Sequence, residues 1–127
     1  MYLFLFYQSY YVCLNIENIK KQLSGKTILV TGAAGSIGSE IVRQLIPFQP
    51  ESIILVDQAE TPLHNLEMEL ADQNLNLNLT YIIADVRNEY RMEEIIAKKR
   101  PHYVYHAAAY KHVPMMERFP GEAVITN

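Results

Sequence analysis

The segment VTGAAGSIGSE, residues 30–40, places Gly32, Gly35 and Gly38 at intervals of three. It follows the apolar run TILV (27–30) and leads into a helical apolar pattern. Glycine loses more chain entropy on ordering than any other residue, so three of them at a strand–helix junction need a cause. The cause that fits is phosphate binding. The first glycine permits a tight turn, and the second lets backbone approach a pyrophosphate with no Cβ in the way. The third lets the helix pack closely. The N–H groups and the dipole at the helix start then face the phosphates. On this reading Thr31, Gly32, Gly35, Ser36, Ile37 and Gly38 line a dinucleotide site. A structural turn is the alternative.

The rest of the chain supplies the context this motif requires. Four short apolar runs recur: Thr27 to Val30, Ser52 to Val56, Thr80 to Ala84 and His102 to Ala107. None alternates cleanly, as expected of strands buried on both faces. Helical patterns separate them. Ile37, Ile41 and Leu45 repeat at four-residue intervals, with Val42 and Ile46 beside them. Leu63, Leu66 and Leu70 share a face after Pro62, which suits a first turn. Met92, Ile95 and Ile96 form a third stripe, with Asn88 as N-cap, basic residues 98–100 at the C-terminal end and Pro101 as the stop. Residues 71–80 read as a loop. Strand, helix, strand, helix implies right-handed crossovers and a parallel sheet. The fold class is α/β, the N-terminal half of a doubly wound Rossmann-type sheet with helices on both faces. Such a fold has about six strands. With four visible and a new helix starting at Pro120 or Gly121, the chain reads as a piece of a larger domain.

Further candidates end the strands. Asp57 stands 19 positions after Gly38. A carboxylate there accepts ribose hydroxyls and repels a 2′-phosphate, which favours NAD slightly over NADP; capping the next turn is the alternative. Arg43 lies far down its helix for a phosphate, so preference and not exclusivity is expected. Asp85, with the backbone of Val86, is placed to meet the adenine amino group, or to cap a helix. Ala107, Ala108 and Ala109 are small enough for a cofactor to lie close, or form a tightly packed strand end.

Composition closes off other classes. The chain has 127 residues, 50% hydrophobic and 20% charged, with a net charge of −3. A nucleic-acid footprint would be basic. The single cysteine, Cys13, excludes a disulfide framework and a cysteine metal site. His64, His102 and His106 lack metal-ligand spacing and read as structural, so no metal is expected. The start, MYLFLFYQSYYVCLNI, is too short and interrupted to span a bilayer and lacks a signal-peptide pattern. It reads as a strand or helix edge that packs on something. Residues 1–15 are therefore set apart as an extension, with 16–127 as the partial NAD(P)-binding domain.

TGAAGSIGSE, LVDQAE, ADVRN and HAAAYKHVPMMERFPGEAVITN together resemble extended short-chain dehydrogenases that act on nucleotide sugars. Within that group they are most similar to polysaccharide-biosynthesis proteins of the CapD type, the UDP-N-acetylglucosamine 4,6-dehydratases and their 5-epimerising relatives. GSIGSE and AAAYKHVPMME are the distinctive pieces. The resemblance covers residues 16 to 127. It implies an NAD or NADP cofactor that takes hydride from C4 of a UDP-sugar. Water is then lost across C5 and C6, and the hydride returns to C6. It places the catalytic residues beyond Asn127; Tyr110 and Lys111 are adjacent and do not form a Tyr-x-x-x-Lys pair. It puts Lys111 and His112 beside the sugar-nucleotide cleft, with a solvated loop lysine and a turn-capping histidine as the alternative. It also implies bacterial surface-polysaccharide synthesis, a homo-oligomer at full length, and a cytoplasmic site with anchoring at the inner membrane face left open.

Three other readings stand beside it: a nucleotide-sugar 4-epimerase, a non-catalytic dinucleotide-binding module, and a truncated product without function. KHVP weighs against the epimerase. The 127 residues alone are expected to be inactive.

Overall fold

The computed structural model describes residues 2–7 and 10–108. Two strands, β1 (Tyr2–Tyr7) and β2 (Tyr10–Asn15), pair antiparallel from Tyr2 opposite Asn15 to Tyr7 opposite Tyr10. The aromatic N-terminal segment is thus a separate two-stranded sheet. Helix α1 (Ile16–Leu23) follows, an element the apolar-run reading did not resolve. Its Ile19 and Leu23 pack into the main core, and Gly25, at φ +70°, turns the chain out of it.

The main sheet has four parallel strands in the order β5-β4-β3-β6. These are β3 (Thr27–Thr31), β4 (Ser52–Asp57), β5 (Asn78–Ile83) and β6 (Tyr103–His106). Between them run α2 (Ser36–Leu45), α3 (Glu60–Ala71) and α4 (Glu89–Lys99). A 3₁₀ turn, Ile46–Phe48, ends α2, and Gln49 leaves it at φ 54°. The first two crossovers step the same way across the sheet, and the third steps back over β3. Right-handed crossovers then put α2 and α3 on one face and α4 on the other.

Alternation along the strands confirms this division. Ile28, Val30, Ile53 and Leu55 share a core with Val42 and Leu45 of α2 and Leu63, Leu66 and Leu70 of α3. Leu29, Ile54 and Val56 point the other way, toward Ile95 of α4. Burial on both faces, expected of all four strands, holds for β3 and β4. On the edge strands Ile83 is 55% and Val104 52% exposed. β5 also starts two residues early, because its ladder to β4 begins at Asn78 opposite Ser52.

Two helical stripes need correction. Ile37 is exposed, since α2 buries Gly38, Ser39, Val42 and Leu45. Ile96 is exposed too, and α4 presents Ile95 with Met92 beside it. The expected cap is in place: Asn88 Oδ1 accepts from Arg91 N at 3.0 Å. The stop is made one residue before Pro101, where Arg100 turns left-handed at φ 47°.

Candidate functional site

The strand order reverses between β3 and β6, and in open parallel sheets ligands bind at the carboxyl ends beside such a reversal. The glycine segment lies there. Gly32 leaves β3 at φ +65°, a conformation that favours glycine. Space forbids a side chain as well: a Cβ on Gly32 would lie 2.6 Å from Ala108 N and 2.8 Å from the Ala107 carbonyl oxygen. A Cβ on Gly38 would run into the Gly32 carbonyl, so this glycine lets α2 close onto the loop. Gly35 differs from both. A Cβ there would meet only the Gly32 carbonyl oxygen, at an ordinary 3.4 Å. Among the described residues, Gly35 is therefore exposed and unobstructed.

Backbone bonds fix the loop. Gly35 N donates to Gly32 O at 3.1 Å, and Ser39 N donates to Gly35 O at 2.9 Å. The end of β4 holds the other side. Ala33 N donates to Val56 O at 3.1 Å, and Ala34 N donates to Asp57 Oδ2 at 3.0 Å. The second Asp57 oxygen, Oδ1, accepts from Ala59 N at 2.9 Å. Asp57 O accepts from Ala84 N at 3.0 Å, which draws the end of β5 to the same point.

Helix α2 starts at this loop with Gly35 as N-cap. Gly35 has no side chain to cap it with, and its first turn carries no acid. The leading N–H groups of a helix have no intrahelical acceptors, and the dipole makes that end positive. Among the described residues, a hydrogen-bonded loop, an exposed glycine and the positive end of a helix dipole thus meet at one point.

The structure thus gathers Gly32, Gly35, Ser36, Ile37, Gly38, Asp57, Ala107 and Ala108 at one sheet edge. Thr31 is buried at the last position of β3, with Oγ1 2.7 Å from His106 Nδ1. His102 works at the other end of β6, where its Nδ1 accepts from Thr27 N at 3.0 Å. Asp85 and Val86 lie just past β5, not within it. The Asp85 carboxylate accepts from Arg87 N at 2.9 Å and pairs with its guanidinium at 2.7 Å. Arg87 thereby holds the Asp85 carboxyl below the ordinary range. Arg87 was not singled out from sequence, although the Asp-x-Arg spacing was its signal. Arg43 is engaged elsewhere, making two bonds to Glu69 of α3 at 2.7 and 2.9 Å. Ala109, Tyr110, Lys111 and His112, and the helix start near Pro120, lie outside the described residues. Among the described residues, three or more His, Cys, Asp or Glu side chains nowhere gather as a metal site, and no helix is long and apolar enough to cross a membrane.

Residues 28–127 match the family model described as polysaccharide biosynthesis protein. The chain belongs to this family. Among its relatives, it is 47% identical to the probable polysaccharide biosynthesis protein EpsC of Bacillus subtilis, over 91% of this chain and 20% of EpsC. It is 46% identical to the capsular polysaccharide biosynthesis protein CapD of Staphylococcus aureus, over 90% of this chain and 19% of CapD. A UDP-N-acetylglucosamine 4,6-dehydratase (inverting) of Campylobacter jejuni is 38% identical over 82% of this chain and 30% of its own. The chain therefore spans about a fifth of the length of EpsC and CapD. Among solved structures, Pen from Bacillus thuringiensis matches with a TM-score of 0.73 at 33% identity, covering 83% of this chain and 32% of Pen. The UDP-glucose 4-epimerase of Thermotoga maritima, solved with UDP-glucose, matches with a TM-score of 0.63 at 34% identity, over 79% of this chain and 29% of the epimerase. The fold is the Rossmann-type α/β sheet of these structures.

Proposed function

We propose that residues 16–127 are the first half of the NAD(P)-binding domain of a nucleotide-sugar 4,6-dehydratase acting on UDP-N-acetylglucosamine. One observation carries the dinucleotide part. Among the described residues, Gly35 is open to approach while Gly32 and Gly38 are closed against protein, and Gly35 stands at the N-cap of α2. The positive end of the helix dipole and the missing side chain at Gly35 both suit a pyrophosphate.

The residues divide the work by position. The N–H groups of Ser36, Ile37 and Gly38 bind the pyrophosphate over Gly35. Asp57 spends one lone pair of each oxygen on protein amides, which leaves acceptors for the ribose hydroxyls. Its charge opposes a 2′-phosphate and tilts the choice toward NAD. Asp85 and Val86 take the adenine edge. Ala107, Ala108 and Ala109 are small enough for the cofactor to lie close, and Lys111 and His112 serve the sugar diphosphate. When bound, the nicotinamide supplies reversible hydride acceptance at C4 of the sugar. No residue of this chain is assigned the proton transfers. The reading includes a cytoplasmic location and a homo-oligomeric full-length protein.

The dehydratase relative and the KHVPMME segment support this reaction. A 4-epimerase is the second reading, favoured by the match to the Thermotoga enzyme. Mass spectrometry separates them. Incubation of the full-length protein with NAD and UDP-N-acetylglucosamine should give a 4-keto-6-deoxy product lighter by one water. A product of unchanged mass with inverted C4 would instead establish the epimerase.

A further inference from the structure

Asp57 holds three separate connections at the ligand edge of the sheet. Its Oδ2 accepts from Ala34 N in the glycine loop, and its Oδ1 from Ala59 N at the entry to α3. Its carbonyl oxygen accepts from Ala84 N beyond β5. Two of these contacts are made by the side chain and one by the backbone, so substitution can separate them.

We infer that Asp57 is a positioning residue for the phosphate loop, acting on dinucleotide affinity through the Ala34 amide independently of any contact with ribose. The inference rests on the dinucleotide reading of the site. Ala34 lies between Gly32, pinned against Ala107 and Ala108, and Gly35, the open position. Neighbouring Ala33 is bonded to the Val56 carbonyl. The carboxylate thus supplies the last fixed point before Gly35. Without it the Ala34 peptide is held only through its neighbours' bonds, and the extra ordering it would need is charged against ligand binding. Asparagine cannot replace the carboxylate here. Its amide has one acceptor oxygen, so either Ala34 N–H or Ala59 N–H would face an NH₂ donor.

The test compares the unaltered full-length protein with D57N and D57A, titrated with NAD and with its 2′,3′-dideoxyadenosine analogue. Loss of a charge-assisted bond that fixes the loop should weaken both ligands by roughly tenfold or more. A loss confined to NAD, with the analogue unaffected, would show that Asp57 acts on the ribose hydroxyls alone and overturn the inference. Amide hydrogen exchange without ligand provides the independent readout. Exchange should quicken at Ala34 and Ala59 but not at Ala84, whose acceptor is the Asp57 backbone. Equal quickening at all three would indicate general destabilisation and also overturn it. Failure of the unaltered protein to bind NAD would remove the dinucleotide reading itself. The exchange data would still decide whether the side chain holds the loop.

Discussion

Thr31 Oγ1 and His106 Nδ1 lie 2.7 Å apart at the carboxyl ends of β3 and β6. The bond crosses the seam where the strand order reverses, beside Ala107 N, which donates to Thr31 O at 3.0 Å. Side chain and backbone together close the wall against which Gly32 is pressed. Thr31→Val keeps the shape and removes the hydroxyl. It should lower stability by about 1 kcal/mol, read as a shifted urea midpoint with an unchanged slope. An unchanged midpoint would show that the seam is held by backbone alone.

The three glycines should separate by mechanism. Gly38→Ala forces a methyl group onto the Gly32 carbonyl, backbone against backbone. It should cost about 1–3 kcal/mol, the range of overpacked cores. Gly35→Ala adds its methyl group at ordinary contact distance and should cost no more than about 1 kcal/mol, as an alanine at an N-cap. Thermal melts of the two variants side by side decide it. Equal losses would mean that the loop relaxes around Gly38.

Much of the fold was legible before any coordinates. The runs around Ile28–Val30 and Ile53–Val56 are uninterrupted because both faces of β3 and β4 are covered. The Asn88 cap was legible because its bond to Arg91 is local. The edge strands misled because coverage by neighbours is a tertiary property: Val104 and Ile83 are apolar and still exposed. Helix α1 was missed because it is eight residues long and offers little more than Ile19 and Leu23 as a stripe. In the site, the glycine spacing identified the loop, but not which glycine is open. The grip of Asp57 on Ala34 spans 23 positions and depends on the loop folding back over β4. The ribose reading and the turn-cap reading of Asp57 do not exclude each other. The contact with Ala59 is a turn cap, and it leaves lone pairs for other partners.

The Arg43–Glu69 pair ties α2 to α3 and sets an acid dependence. The guanidinium bond holds the Glu69 carboxyl below its ordinary value. A carboxyl so lowered binds fewer protons folded than unfolded. Its contribution is therefore full above the unfolded value of about 4.5 and is lost as pH falls through the folded value. Both side chains are about two-fifths exposed (38% and 43%), so the effect is small and screened by salt. Glu69→Gln should be slightly less stable than the unaltered protein at neutral pH, and the difference should shrink as pH falls below about 4.5 and in molar salt. A difference that persists in acid would show that packing, not charge, is responsible.

The central claim is that the opening over Gly35 receives a dinucleotide pyrophosphate. Calorimetric titration of the full-length protein and its Gly35→Val variant with NAD tests it most directly, with far-UV circular dichroism on both as the control for folding. Saturable binding by the unaltered protein, its loss in Gly35→Val, and matching dichroism spectra are expected. Equal NAD affinity in two equally folded proteins would contradict it.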